Sequence, residues 1–280
     1  MSTTEFSVPA ARWEGQGSEG WAAHWGVPAV HLYAAVGSTN DEARTLAAMG
    51  APAGTVVLAE EQRHGRGRDG RPWHSPPGRG IWLSILLRPD ALPSPALLPL
   101  LVGVRVASAL EDACIGVPVQ IKWPNDLLVG DRKVGGILCE AVWEGDRPAH
   151  VIVGVGLNVL VASDDLPAGL RATASSLAAE SPEPVERSQV AGAVVRAVAS
   201  LLNGVPGEMG EEDRVELAHR DALGGHPVVV TAPGGEGEGV HGTARGIAGE
   251  GRLLLRDEAG VLRRIEAGTV RRAPVASGRP

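Results

Sequence analysis

The densest set of chemistry-bearing groups lies in GRGRDGRPWHSPPGRG, residues 65–80, where Arg66, Arg68 and Arg71 alternate with Gly65, Gly67 and Gly70. Guanidinium forks bond phosphate or carboxylate in a bidentate manner, and glycines let main-chain N–H groups come close to a ligand. The spacing from Gly65 to Gly70 satisfies G-x-G-x-x-G. A dinucleotide turn, however, needs its last glycine to open the helix on which the pyrophosphate sits. Here Pro72, Pro76 and Pro77 follow, and they exclude a regular helix. No G-x-x-x-x-G-K-[ST] loop occurs either. What remains is a cationic loop that is flexible when free, and ordering it on a ligand costs ~1–2 kcal/mol per fixed residue. Trp73 and Trp82 lie close enough in sequence to wall a ligand, although a solvated hairpin connection has the same glycine-rich composition.

Four other stretches carry polar groups at strand ends. In Lys122-Trp-Pro-Asn125-Asp126 a lysine, an amide and a carboxylate surround ordinary turn chemistry. Lys133 follows the Gly130-Asp131 turn and precedes Gly135 and Gly136; paired glycines in a strand mark a place where a ligand or another backbone comes close. Gly154 and Gly156 with Asn158 repeat that pattern at the end of an apolar run. Ser38, Thr39 and Asn40 open a helix, and Thr39 and Glu42 have capping-box spacing.

These groups need a scaffold, and the hydrophobic pattern predicts one. Strands are expected over 31–36, 55–60, 81–87, 119–121, 127–129, 134–142 and 151–156, with helices over 38–49, 96–113, 187–203 and 211–222. Gly130-Asp131 is expected to join two strands as a hairpin. The order is mixed, not a regular βαβ alternation, so the fold class is α+β with a mixed or largely antiparallel sheet. From 224 onward four or five short β-segments predict a small appended barrel or open sheet. The expected division is a loosely ordered tail over 1–28, a main domain over 29–223, a small β domain over 224–273 and a tail over 274–280. Trp13, Trp21 and Trp25 stand in the first tail and are expected to dock on the main domain; the tail is too short for a helix-turn-helix module.

Bulk properties narrow the function. The chain has 280 residues, 44% of them hydrophobic, and a net charge of −7, as in soluble globular proteins and unlike general nucleic-acid binders. Two cysteines, Cys114 and Cys139, form neither a disulfide framework nor a metal-ligand spacing. No apolar run approaches the ~18 residues of a membrane span, and the N-terminus has no signal-peptide pattern. A cytoplasmic protein with no membrane or nucleic-acid partner is expected.

Taken together and in this order, STN, GRGRDGRPWHSP, KWPNDLLVGDRKVGGILCE and GVGLN resemble the biotin protein ligase family over roughly residues 31–272. The two long motifs carry the resemblance; STN and GVGLN alone would not. It implies the mixed sheet flanked by helices shared with class II aminoacyl-tRNA synthetases, followed by an SH3-like barrel. It also implies the reaction of biotin with Mg·ATP to biotinyl-5′-AMP, then transfer of biotin to one lysine of a biotin carboxyl carrier domain.

By resemblance, Ser38, Thr39, Asn40 and Gln62 contact the biotin head group, and Gly65, Arg66, Gly67 and Arg68 form the biotin and adenylate loop. Arg68, with Arg71 assisting, is the phosphate fork, and Trp73 packs over the ligand as the loop closes. Lys133 contacts the biotin carboxylate and steadies charge during acyl transfer, which with Arg68 makes it the implied catalytic group. Gly135, Gly136, Gly154 and Gly156 line the slot for ring and valeryl chain. Lys122, Asn125, Asp126 and Asn158 lie near the triphosphate, with Asp126 the implied Mg²⁺ ligand.

The sequence departs from the family's pattern in two places. Asp69 stands where relatives often have a basic residue, and the winged-helix domain of the family's repressor branch is not expected, which makes this a monofunctional ligase without operator binding. A lipoate–protein ligase on the same fold is the alternative. The sequence leaves open the choice between monomer and homodimer, and which carboxylase is the acceptor.

Overall fold

In a computed structural model of the chain, residues 7–113, 116–233 and 239–273 are described. The expected 274–280 tail and Cys114 lie outside them. In chain order the elements begin with β1 (Val8–Pro9), α1 (Ser18–Trp25), β2 (Val30–Ala35), α2 (Thr39–Ala48), β3 (Val56–Ala59) and β4 (Gly80–Leu87). Next come α3 (Leu97–Ala113), β5 (Gln120–Lys122), β6 (Asp126–Val129), β7 (Arg132–Glu144) and β8 (Arg147–Asn158). Then follow α4 (Leu177–Glu180), α5 (Arg187–Ala199) and α6 (Glu211–Arg220). The chain closes with β9 (Pro227–Thr231), β10 (Val240–Ile247), β11 (Leu253–Asp257), β12 (Leu262–Ile265) and β13 (Thr269–Arg272). The α+β expectation holds.

The first eight strands make one sheet in the order β1-β2-β3-β4-β8-β7-β6-β5, and the last five make an antiparallel sheet in the order β12-β11-β10-β9-β13. Only β2 and β3 pair in parallel; every other named pair is antiparallel. Strand β4, GIWLSILL, is buried at every position because it is central and covered on both faces. One sheet face is covered by α3 and α5, which join the main hydrophobic core, and the other by α2, which packs Ala43 and Ala47 on Val57, Leu86 and Ile152. The apolar run of α3 buries ten residues, so it reads as hydrophobic nearly all round. No helix among the described residues is long and apolar enough to cross a membrane.

The second sheet is pinned to the first. Trp123 Nε1 donates to Gly251 O at 2.9 Å, Ser94 Oγ to Glu250 O at 2.8 Å, and Arg272 pairs with Asp131 at 2.5 Å.

The N-terminal segment docks its tryptophans on the main core, as expected, but differs from expectation in its order. Its described part, residues 7–28, is not loosely ordered: Trp13, Trp21 and Trp25 are all buried, and Trp21 and Trp25 sit on α1. Trp21 stacks on Trp25 with centroids 4.9 Å apart and meets Trp13 edge-on at 5.3 Å. Polarity in the intervening residues conceals the segment in sequence, but three indoles bury enough apolar area to fix it.

Candidate active site

Successive strand residues point to opposite faces, and this alternation builds the site. On β8, Val151, Val153, Val155 and Leu157 enter the main core, whereas Ile152, Gly154 and Gly156 face α2 and the loop over 61–79. Register carries the pattern across the sheet. Lys122 pairs with Asp126, Asp126 with Gly136, Gly136 with Gly156, and Gly156 with Trp82. One cross-strand row therefore lines up a cation, a carboxylate, two glycines and an indole. The neighbouring row holds Leu138, Gly154 and Ser84. Above these rows is a cavity of about 460 Å³, the size of a small-ligand site.

Two glycines are kept bare by the chain's own side chains. A Cβ on Gly154 would stand 2.3 Å from Asn40 Oδ1, and one on Gly156 would stand 2.7 Å from Trp73 Nε1. Gly135 does not join them. It pairs with Leu157, and a Cβ there would meet Leu157 Cδ2 at 2.4 Å, in the core. Its expected place in the slot fails because it is one residue from Gly136 and so faces the opposite side of the pleat. Gly65 does not line the cavity either: a Cβ there would lie 2.6 Å from Trp73 O, so its bareness lets the loop close on itself.

Helix α2 delivers the STN residues. Ser38 is its N-cap by backbone geometry yet makes no capping bond, and the Thr39–Glu42 capping box does not form. The hydroxyls and amides go to the site instead. Gln62 Oε1 accepts from Thr39 N (2.9 Å) and Thr39 Oγ1 (3.0 Å), while Gln62 Nε2 donates to Ser75 Oγ at 3.0 Å. Ser84 Oγ donates to Asn40 Oδ1 at 2.6 Å and Asn40 Nδ2 to Glu140 Oε2 at 2.6 Å. Glu42 accepts from Ser7.

The loop is tied down rather than free. Trp73 N donates to Gly65 O at 2.8 Å, Gly67 N to Arg71 O at 2.7 Å and His64 N to Gly37 O at 2.8 Å. Arg66 makes a fork on Asp41, with contacts of 2.6 and 2.7 Å. Burial alone would raise the Asp41 carboxyl; Arg66, with Arg44 beside it, outweighs that and holds it below the usual carboxylate range. Arg68 Nη1 reaches Gly268 O at 3.4 Å, and Arg71 Nη2 donates to Thr269 Oγ1 at 2.8 Å, so the C-terminal sheet touches the loop. Asp69 sits at φ +56°, next to Gly70 at +68°. Asp tolerates this left-handed region better than most residues do, which accounts for an acidic residue inside a basic loop.

The opposite wall is cationic. Lys133 is fixed through its backbone, donating to Thr173 O at 2.8 Å and accepting from Ser175 N at 2.9 Å. Its Nζ lies 2.5 Å from Asp126 Oδ1 and 5.0 Å from the Trp73 ring centroid. Lys122, Arg68, Arg71 and Arg271 line the same cavity. Burial lowers the Lys122 ammonium pKa, Asp126 opposes the shift, and Lys133, Arg272 and Arg271 add to it. Burial likewise lowers Arg68. Asn125 Nδ2 donates to Ile137 O at 2.7 Å and Asn158 Nδ2 to Ser175 O at 2.9 Å, so both amide nitrogens hold backbone at the cavity edge.

Among the described residues no three His, Cys, Asp or Glu side chains converge on one point. Asp126, which lines the cavity with Asp69 and Asp131, offers a hard carboxylate oxygen beside the two lysines, which fits a cation held mainly by ligand phosphates and water. Cys139 is a free thiol whose pKa is pushed well up by burial, with Glu140 adding to it, so it supplies no thiolate nucleophile at neutral pH.

No pattern in the sequence marks Asp41, Glu140, the wall over 166–174 or the Gly268–Thr269 contact. They are ordinary residues brought in by long-range packing.

Comparison with known proteins agrees with this geometry. Residues 34–158 match the model of the biotin/lipoate A/B protein ligase family, and 225–271 match the biotin protein ligase C terminal domain. The bifunctional ligase/repressor BirA of Bacillus spizizenii is 46% identical over 156 residues, which is 55% of this chain and 48% of that protein. The matched stretch thus spans about half the length of that curated relative. The biotin–[acetyl-CoA-carboxylase] ligase of Mycobacterium tuberculosis is 33% identical over 80% of this chain and 82% of its own. The structure of the Aquifex aeolicus biotin protein ligase in complex with biotin and ATP superposes with a TM-score of 0.74 at 28% identity, covering 87% of this chain and 99% of that one.

Proposed function

The chain belongs to the biotin protein ligase family, and on that premise we propose that it activates biotin with ATP and transfers it to a lysine of a biotin carboxyl carrier domain. The observation that carries this reading is the join between two unlike halves of one cavity. A bare floor at Gly136, Gly154 and Gly156 adjoins a wall bearing Lys122, Lys133, Arg68 and Arg71. The first half suits a compact ring and an aliphatic chain, the second a polyphosphate and a carboxylate.

In the first half-reaction a biotin carboxylate oxygen attacks the α-phosphorus of ATP, the P–O bond to the β,γ-phosphates breaks, and pyrophosphate leaves. Lys133 holds the carboxylate and then the anhydride oxygens. Arg68 and Arg71 steady the equatorial charge, and Lys122 takes the departing phosphates. This is catalysis by positioning and charge neutralisation. In the second half-reaction the carrier lysine, as the free amine, attacks the acyl carbon; AMP leaves and the amine's proton passes to solvent. Ser38, Thr39 and Asn40 hold the head group, with Gln62 fixing Thr39. Arg66 and the backbone of Gly65 and Gly67 shape the loop that closes with Trp73. Asn125 and Asn158 fix the cavity edge. Mg²⁺ bound to the phosphates, with Asp126 as its protein oxygen, would neutralise charge on them. We assign catalysis to residues 29–223, with 224–273 closing the nucleotide side, and no nucleic-acid partner.

Incubation with ATP, Mg²⁺, an apo carrier domain and either biotin or lipoate tests the reading. Intact mass shows biotin on one lysine and pyrophosphate is released in step; equal or faster lipoylation overturns it.

A further inference from the structure

The stem of the 61–79 loop meets the N-terminal tryptophan segment at one buried arginine. Glu60, the residue after β3, accepts from Gly78 N at 3.1 Å through Oε2, which joins the two ends of the loop just before β4 begins. Arg187 Nη2 donates to the same oxygen at 2.7 Å. Through Nη1, Arg187 pairs with Glu14 at 3.2 Å, and its guanidinium lies 5.3 Å over the Trp13 ring. The Arg187 side chain is 6% exposed, and its Nε has no partner among the described residues.

Two local rules are broken to build this contact. Arg187 is the first residue of α5, where a cation opposes the helix macrodipole. Glu14 is held at φ +44°, a region that side chains other than glycine's rarely adopt; Trp13 and Gln16 exchange both backbone hydrogen bonds across it. Local violations of this kind are kept where tertiary structure requires them. Gly78, at φ +70°, lies beside the arginine: a Cβ there would be in ordinary contact with Arg187 Nη1, at 3.8 Å.

We propose that Arg187 and Glu60 are positioning residues that couple the N-terminal tryptophan segment to the loop stem, so that residues 13–14 set how firmly the loop retains its ligand. The ligand, an acyl-adenylate, rests on the function proposed above; the coupling does not. Arg187 touches no reacting atom. It holds Glu60, Glu60 holds the two loop ends at a fixed separation, and the Trp13–Glu14 turn holds Arg187.

The test uses the full chain with Glu14→Gln, which removes the ion pair outside the loop while preserving shape, and Glu60→Gln at the stem. Hydrogen exchange of the 61–79 amides is read beside that of β4 and β8. Each variant is expected to speed loop exchange about tenfold, the size of one charge-assisted hydrogen bond, with strand exchange unchanged. Release of preformed biotinyl-5′-AMP speeds by a similar factor, while the rate of pyrophosphate formation at saturating substrate stays as in the wild type. Loop exchange within twofold of wild type in Glu14→Gln overturns the coupling, as does uniform acceleration of loop and strands, which marks a merely structural contact. Faster loop exchange in a protein that makes no biotinyl-5′-AMP leaves the coupling standing and overturns the proposed function.

Discussion

Replacing Asp41 by Asn tests whether the loop's grip is built into the protein before ligand arrives. Arg66 bonds both carboxylate oxygens, at 2.6 and 2.7 Å, with the Asp41 side chain 11% exposed and that of Arg66 33%. Exposed pairs contribute ~0.2–1 kcal/mol, and breaking a buried one by removing a partner costs ~3–5 kcal/mol. A half-covered fork falls between these, at about 2 kcal/mol, and at ~1.4 kcal/mol per tenfold this is about 30-fold in a rate constant. Asp41 stands on α2 and Arg66 on the loop, so the energy is lost when the loop lifts. Enzyme loaded with labelled biotinyl-5′-AMP and chased with excess unlabelled biotin and ATP should therefore release it about 30-fold faster in Asp41→Asn. A release rate within twofold of wild type, with only the melting temperature lowered, would refute the reasoning. Slower release would refute it differently, by showing that Asp41 competes with the ligand for Arg66. The pH dependence has a fixed sign. The folded Asp41 pKa lies below its ordinary value, so the pair's contribution is complete above that value and fades only as pH falls through the folded one. Retention by the wild type should thus be flat, as far as Asp41 is concerned, from neutral pH to about pH 4.

Other perturbations separate the remaining parts of the site. Lys133→Ala should lower pyrophosphate release by about 100-fold or more while far-UV circular dichroism is unchanged, since Lys133 contributes charge neutralisation rather than core; a near wild-type rate would remove it from the mechanism. Gly156→Ala should displace the Trp73 indole and speed loss of the adenylate with little change in melting temperature. Gly135→Ala should do the reverse, because its Cβ meets Leu157: overpacking of ~1–3 kcal/mol lowers the melting temperature by several degrees, read by calorimetry. ATP binding should take up protons at alkaline pH, because phosphate raises the depressed Lys122 pKa. Calorimetric titration in two buffers of different ionisation enthalpy measures that uptake.

Much of this protein was legible before folding was considered, for physical reasons. Strand alternation and apolar runs depend on nearest neighbours, so β4, β7, β8 and α3 fall within a few residues of their expected positions. The glycine–arginine loop could be separated from a dinucleotide turn by its prolines alone. The motifs also named the residues that meet at the cavity, among them Asn40, Lys122, Asp126, Lys133, Gly136 and Gly156. What sequence could not decide was which face each of these takes and what holds it there. Register placed Gly136 in the site and Gly135 in the core, a one-residue difference that composition does not show. Long-range pairing set Asp41 against Arg66 and Arg187 against Glu60, 127 residues apart in sequence. It also converted a tryptophan-bearing segment that reads as a tail into a buried support for the loop. Local pattern fixes the elements because backbone geometry is local; the site's charges are partnered by tertiary structure, because burial is a property of the whole fold.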